Sequence, residues 1–144
     1  MIYKAAPSDI EDVVCLAASL WPGHDEAGLR EEFLDLLRDD ACAVYIAKTD
    51  GEKIGFAQVQ LRHDYVEGTN STPVGYLEGI FVREAWRKHG YARKLLACCE
   101  KWAKEKGCFE FASDCELKND VSLAFHLRAG FSEVNRVICF AKRI

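Results

Sequence analysis

An α/β fold, a mixed sheet with helices packed on its faces, is the architecture this sequence predicts. Three observations lead there. Runs of β-strand character alternate with helical periodicity through the second half of the chain, the pattern of a sheet covered by helices. Hydrophobic residues make up 49% and charged residues 29%, which excludes a disordered or low-complexity protein. Finally, 144 residues fit one domain over 1–144, large enough to bury a core without a metal or disulfide staple.

The elements follow in order. Residues 2–6 read as a short strand. Pro7-Ser8-Asp9 then turns into a helix over 9–20, with Ser8 or Asp9 as cap and Ile10, Val13, Val14, Ala17 and Leu20 on its apolar face. Trp21-Pro22-Gly23-His24 breaks the pattern, and a second helix over 26–38 buries Leu29, Phe33, Leu36 and Leu37. Strands at 42–47 and 54–61 flank a turn at Asp50-Gly51. Residues 66–73 are polar and turn-rich, a loop, and 76–82 is again a strand. A helix over 90–106 buries Leu95, Leu96, Cys99, Trp102 and Ala103 and stops at Gly107. A strand at 108–113, a helix at 120–129 ended by Gly130, and a strand at 134–142 complete the order β-α-α-β-β-β-α-β-α-β. No internal repeat or linker interrupts it.

Charge and cysteine usage narrow the function. A net charge of −4 argues against a nucleic-acid partner held by bulk electrostatics and favours a cationic one. Cys15, Cys42, Cys98, Cys99, Cys108, Cys115 and Cys139 are odd in number and form no C-x-x-C pair or zinc spacing. They read as reduced thiols, mostly small core residues, with no metal. The N-terminus carries no apolar leader and no run is long enough to span a membrane, so a cytoplasmic protein without a membrane partner is expected.

Two features carry chemistry. The strand at 76–82 feeds Arg87-Lys88-His89-Gly90-Tyr91-Ala92, which opens a helix. The unpaired N–H groups of a first helical turn and the positive end of its dipole can hold a phosphate, with Arg87 and Lys88 adding charge and Ala92 leaving room. A plain β-α turn with solvated basic residues is the alternative. The second feature is Glu78, a charge inside an apolar strand, which costs several kcal/mol if buried without a partner; an exposed strand face would relieve it. Trp21 beside Pro22 is either a core plug or a wall of a site. His24, Tyr65 and Asp114 each have a plain reading as turn, rim and strand-end residues.

Asn119 precedes a short helix that ends in Leu127-Arg128-Ala129-Gly130-Phe131. With the Arg87-x-x-Gly90-x-Ala92 turn, the chain resembles the GNAT superfamily of N-acetyltransferases. Residues 20–24, 62–66, 73–82 and 112–114 are similar to bacterial aminoglycoside 6'-N-acetyltransferases in particular. The resemblance implies a single domain whose mixed sheet is mostly antiparallel, with helices on both faces. It implies direct acetyl transfer from acetyl-CoA to the 6'-amine of an aminoglycoside antibiotic, which confers resistance. The backbone of Ile80, Phe81 and Val82 would bind the pantetheine arm. Arg87, Lys88, His89, Gly90, Tyr91 and Ala92 would bind the pyrophosphate, and Asn119 would touch the cofactor. Trp21, His24, Tyr65, Glu78, Asp114 and Asn135 would line the substrate pocket.

For the reaction itself, Glu78 is the first candidate base and Asp114 the second, because a protonated amine must lose a proton before it attacks. Family members commonly form homodimers, and Val137-Ile138-Cys139-Phe140 is expected either to pair across that interface or to complete its own sheet. Two positions depart from the family pattern. Phe125 stands where many members have a tyrosine that protonates the leaving thiolate, and Asn135 stands where the aminoglycoside enzymes often have a carboxylate. A GNAT enzyme for a polyamine or protein N-terminus, or a non-catalytic acyl-CoA-binding module, are the competing readings.

Overall fold

The computed structural model describes residues 1–144. Five strands form one sheet in the order β1-β2-β3-β4-β5: Ile2–Lys4, Cys42–Thr49, Glu52–Arg62, Val74–Val82 and Phe111–Ser113. The first three pairings are antiparallel and β4–β5 is parallel, the mixed and mostly antiparallel sheet expected. Asp50 (φ 49°) and Gly51 (φ 78°) both take positive φ between β2 and β3, the backbone a tight hairpin requires.

Four helices cover the two faces: α1 Ile10–Leu20, α2 Glu26–Arg38, α3 Tyr91–Glu105 and α4 Asp120–Arg128. One face packs Val13, Leu16 and Ala17 of α1 and Leu29 and Phe33 of α2 against Val44, Ile46 and Phe56. The other buries α3 through Leu95, Leu96, Cys99, Trp102 and Ala103 against Ala43, Ile54, Ala57, Val59 and Leu77. That is the stripe read from the sequence, and a side chain such as Leu95, fully buried, contributes about 1.5–3 kcal/mol.

Several local expectations change. Residues Pro7–Asp9 form a 3₁₀ turn, and neither Ser8 nor Asp9 caps α1. The Asp9 carboxylate instead accepts from the Ala6 N–H (2.9 Å) and the Tyr3 hydroxyl (3.3 Å). β5 starts at Phe111 rather than at 108. The strand expected at 134–142 does not form: residues beyond Gly130 have no regular structure, and Val137, Ile138 and Phe140 are 70%, 78% and 90% exposed. A strand exists only with a ladder partner, and β5 offers its outer edge to nothing in this chain. The cysteines are all free, but only Cys42, Cys99 and Cys108 are buried, while Cys15, Cys115 and Cys139 are exposed. Cys115 lies outside the expected elements, and Cys139 belongs to the strand at 134–142 that does not form.

Candidate active site

β4 carries the site because its pairing changes halfway along. On the β3 side, Gln58 pairs with Gly79 but Val59 pairs with Leu77, so Glu78 is an extra, unpaired residue. Such a bulge re-aims a side chain and bends the strand. On the other side, β5 pairs only with Gly75, Tyr76 and Leu77. From Glu78 to Val82 the β4 edge has no strand neighbour there, and the sheet opens at that seam. Ile80, Phe81 and Val82 lie along the open edge, as an added strand would need.

The turn expected to hold a pyrophosphate lies at the end of the same strand. Gly90 is the α3 N-cap in the left-handed region (φ 85°), and no side chain caps the first turn. Nothing lies within 4 Å of where a Cβ on Gly90 would be, and no side chain occupies the cap position before α3. This fits an anionic group at a helix start. Lys88 (φ 63°) is also left-handed. Arg87 behaves differently from the expectation: its Nε donates to the Val82 carbonyl (2.8 Å) and its guanidinium leans toward the Phe81 ring, bracing the turn to β4. His89 is exposed, with Nδ1 2.8 Å from the Arg87 carbonyl. Asn119 uses its side-chain oxygen to accept from Ser122 N–H (3.1 Å) and so caps α4.

On the substrate side, Trp21, His24 and Glu78 line one cavity of about 160 Å³ with Leu29, Glu32 and Gln58. This is below the roughly 300–1,000 Å³ of a drug-sized pocket, too small to enclose a whole drug-sized molecule. Trp21 is both plug and wall. Its ring packs against Phe33 and Phe56, and it lies so close to β4 that a Cβ on Gly79 would come within 2.7 Å of it. A larger hollow of about 460 Å³ is lined by Glu11, Cys15, Glu26 and Arg30 on α1 and α2 and contains none of these residues.

Glu78 is half-buried rather than on an exposed face. Its carboxylate accepts from Arg62 at Nε (3.0 Å) and Nη2 (2.9 Å), a bidentate pair. The Arg62 guanidinium stacks 3.4 Å above the Tyr76 ring centre, and the Tyr76 hydroxyl donates to Asp114. Burial raises the Glu78 pKa, the Arg62 guanidinium pulls it back, and Asp114 pushes it up again. Burial and Asp114 likewise raise Tyr76, so the phenol stays protonated and donates. Asp114 therefore joins Glu78 through Tyr76 and Arg62 rather than by lining the cavity. Tyr65 and Asn135 form a separate group: the Tyr65 hydroxyl (3.2 Å) and Asn135 Nδ2 (3.1 Å) both donate to Glu67, and Tyr65 is 78% exposed.

Sequence reasoning missed Arg62, Tyr76, Gln58 and Glu67. The period-2 placement of Tyr76 and Glu78 on one strand face was a usable signal; the Arg62 partnership depends on how β3 registers against β4 and was not. The residue at the seam opening also differs from the expectation. Phe125 packs into the α3-side core, while His126, one helix step on, reaches β5 with Nε2 2.8 Å from Ser113 Oγ. Ser113 is the last residue paired to β4 and lies 3.2 Å from the Leu77 carbonyl, to which its hydroxyl donates.

A sheet opened beside β4, with an uncapped helix start at the end of that strand and an acidic, aromatic cavity next to it, defines an acyltransferase of the GNAT type. The family model described as "Acetyltransferase (GNAT) family" matches residues 10–131. The aminoglycoside N(6')-acetyltransferase type 1 of Salmonella typhimurium is 44% identical over 128 residues, 89% of this chain and 88% of that protein. The same-named enzyme of Stenotrophomonas maltophilia is 43% identical, covering 96% and 90%. A solved structure of AAC(6')-Iy in complex with a bisubstrate analogue, CoA-S-monomethyl-acetylneamine, superposes with a TM-score of 0.96 at 40% identity, covering 100% of this chain and 98% of that one. The chain belongs to the GNAT acetyltransferase family, among its aminoglycoside N(6')-acetyltransferases.

Proposed function

We propose that the protein transfers the acetyl group of acetyl-CoA directly to the 6'-amine of an aminoglycoside. The observation that carries this is the placing of Glu78: a half-buried carboxylate at the point where the acidic cavity meets the open β4 edge. In this reading Glu78 takes a proton from the substrate ammonium. The freed amine attacks the thioester carbonyl, a backbone N–H near Ile80 steadies the oxyanion, and the C–S bond breaks to leave the amide and the CoA thiolate, which is protonated as the former amine nitrogen gives up its second proton. Positioning the two reactants beside one strand supplies much of the acceleration.

Trp21 and His24 with Glu32 and Glu78 give the cavity the flat faces and negative charge that a polycationic sugar requires. Asp114 supports the cavity indirectly, by holding the Tyr76 hydroxyl under the Arg62 guanidinium that pairs with Glu78. Tyr65 and Asn135 hold the rim, where Glu67 supplies the carboxylate that Asn135 lacks. The uncapped turn from Arg87 to Ala92 holds the pyrophosphate, with Asn119 at the start of the neighbouring α4. A thiol-release assay with acetyl-CoA and a panel of aminoglycosides, polyamines and peptide N-termini tests the reading. Turnover is expected with aminoglycosides that carry a free 6'-amine; turnover only with the other amines, or with none, would overturn it.

We also propose that the protein works as a homodimer in the cytoplasm. An exposed apolar segment at Val137-Ile138-Cys139-Phe140 and an unpaired β5 edge in the same molecule are complementary surfaces, and a monomer rarely leaves such a segment in water. Exposed free thiols suit a reducing compartment, and no helix is long and apolar enough to cross a membrane. Light scattering at micromolar concentration is expected to give twice the 16.2 kDa chain mass; a mass near that of one chain would rule the dimer out.

A further inference from the structure

The floor of the cavity holds a group that the reaction above does not use. Gln58 is only 5% exposed, the one buried polar side chain in the core, and it lines the cavity together with Trp21 and Glu78. None of the side-chain hydrogen bonds of the protein involves it, and it is not among the side chains with a polar atom both sealed from solvent and unpaired, of which Trp102 is the one case. Its amide therefore opens onto the cavity without a partner. Buried polar groups in folded proteins are paired in the great majority of cases, by protein or by ordered water, so an amide that opens onto a cavity without a protein partner is available to a ligand.

Pairing in the sheet fixes where that amide points. Gln58 lies opposite Gly79, the residue after the bulge, and the Trp21 ring covers Gly79 closely enough to exclude a Cβ there. A ring lying against Trp21 with its amine at Glu78 thus presents its edge to Gln58. The chemistry of that edge follows from the side chains. Glu32 and Glu78 are acceptors suited to ammonium groups, whereas a neutral amide offers one acceptor and two donors, the complement of a hydroxyl.

We propose that Gln58 is a specificity-determining residue that hydrogen-bonds a ring hydroxyl of the amine-bearing sugar. The proposal rests on the aminoglycoside reading above. Gln58→Met and Gln58→Leu remove the amide at similar volume. Each is compared with the unaltered enzyme for thermal unfolding, and for kcat/KM with two acceptors: one whose amine-bearing ring keeps its hydroxyls, and the same scaffold with that ring deoxygenated. The expected result is an unfolding midpoint unchanged or raised, because an unpartnered amide has gone. With it should come a loss of about tenfold for the hydroxylated acceptor and less than about threefold for the deoxygenated one, with the KM for acetyl-CoA unmoved. A midpoint lowered by several degrees in both variants would mean the amide is held by the protein and overturn the proposal, as would equal losses with both acceptors. Failure of the unaltered enzyme to acetylate either acceptor would instead bring down the aminoglycoside reading, and is seen before any variant is compared.

Discussion

Glu78→Gln is expected to lower kcat for an aminoglycoside acceptor by at least about tenfold, the low end of what a lost general base costs, with a smaller change in KM. The amide keeps the shape and can still meet Arg62, so the loss measures the proton acceptor rather than the fold. The pH profile separates the two roles. Burial outweighs Arg62 in setting the Glu78 pKa above the ordinary carboxylate range. Activity of the unaltered enzyme should therefore fall on acidification at a pH where an exposed carboxylate would still be ionised. In the Gln variant that limb disappears, and rising pH should partly restore the rate by supplying free amine. Asp114→Asn should behave differently and raise KM more than it lowers kcat, because Asp114 reaches the site through the Tyr76 hydroxyl. Steady-state kinetics of both variants across pH reads this out; a Gln variant with unaltered kcat at neutral pH would leave Glu78 a binding residue only.

The second large effect is expected at Gly90. Gly90→Asp would place a carboxylate in the open space before α3, facing the pyrophosphate that the turn is proposed to hold. Like charges set against each other at a binding surface cost several kcal/mol, so acetyl-CoA affinity measured by calorimetry should fall about 100-fold or more. The left-handed backbone at φ 85° adds strain for any side chain. Gly90→Asn provides the control, since asparagine tolerates that region and carries no charge. A large loss in the Asp variant and a modest one in the Asn variant assigns the effect to charge. Unchanged affinity in the Asp variant would remove the turn from the cofactor site.

What was legible in the sequence was whatever depends on local spacing. The α3 stripe from Leu95 to Ala103, the glycines that end helices at Gly107 and Gly130, and the hairpin at Asp50-Gly51 are all set within a few residues. The hidden features depend on a partner distant in sequence. Val137-Ile138-Cys139-Phe140 has strong strand propensity, but propensity does not make a strand where no ladder is offered. Arg62 lies opposite Val74 and reaches Glu78 across the Tyr76 ring, a contact between strands that no single-strand pattern reveals. Phe125 and His126 differ by one helical step of about 100°, and that step decides which of them reaches the seam and which enters the core.

The bulge at Glu78 has a bearing on how this site tolerates change. Glu78 has no direct pairing partner on β3, so replacing its side chain leaves the pairing to either side intact. The position is free to vary in chemistry without unzipping the sheet. Length has a different effect: the pairs on either side of Glu78, Val59 with Leu77 and Gln58 with Gly79, are already consecutive on β3, so removing Glu78 would close β4 into a regular ladder with both halves in their present phase. The sheet would survive that deletion, and the bend that sets the acid beside the cavity would be lost with it.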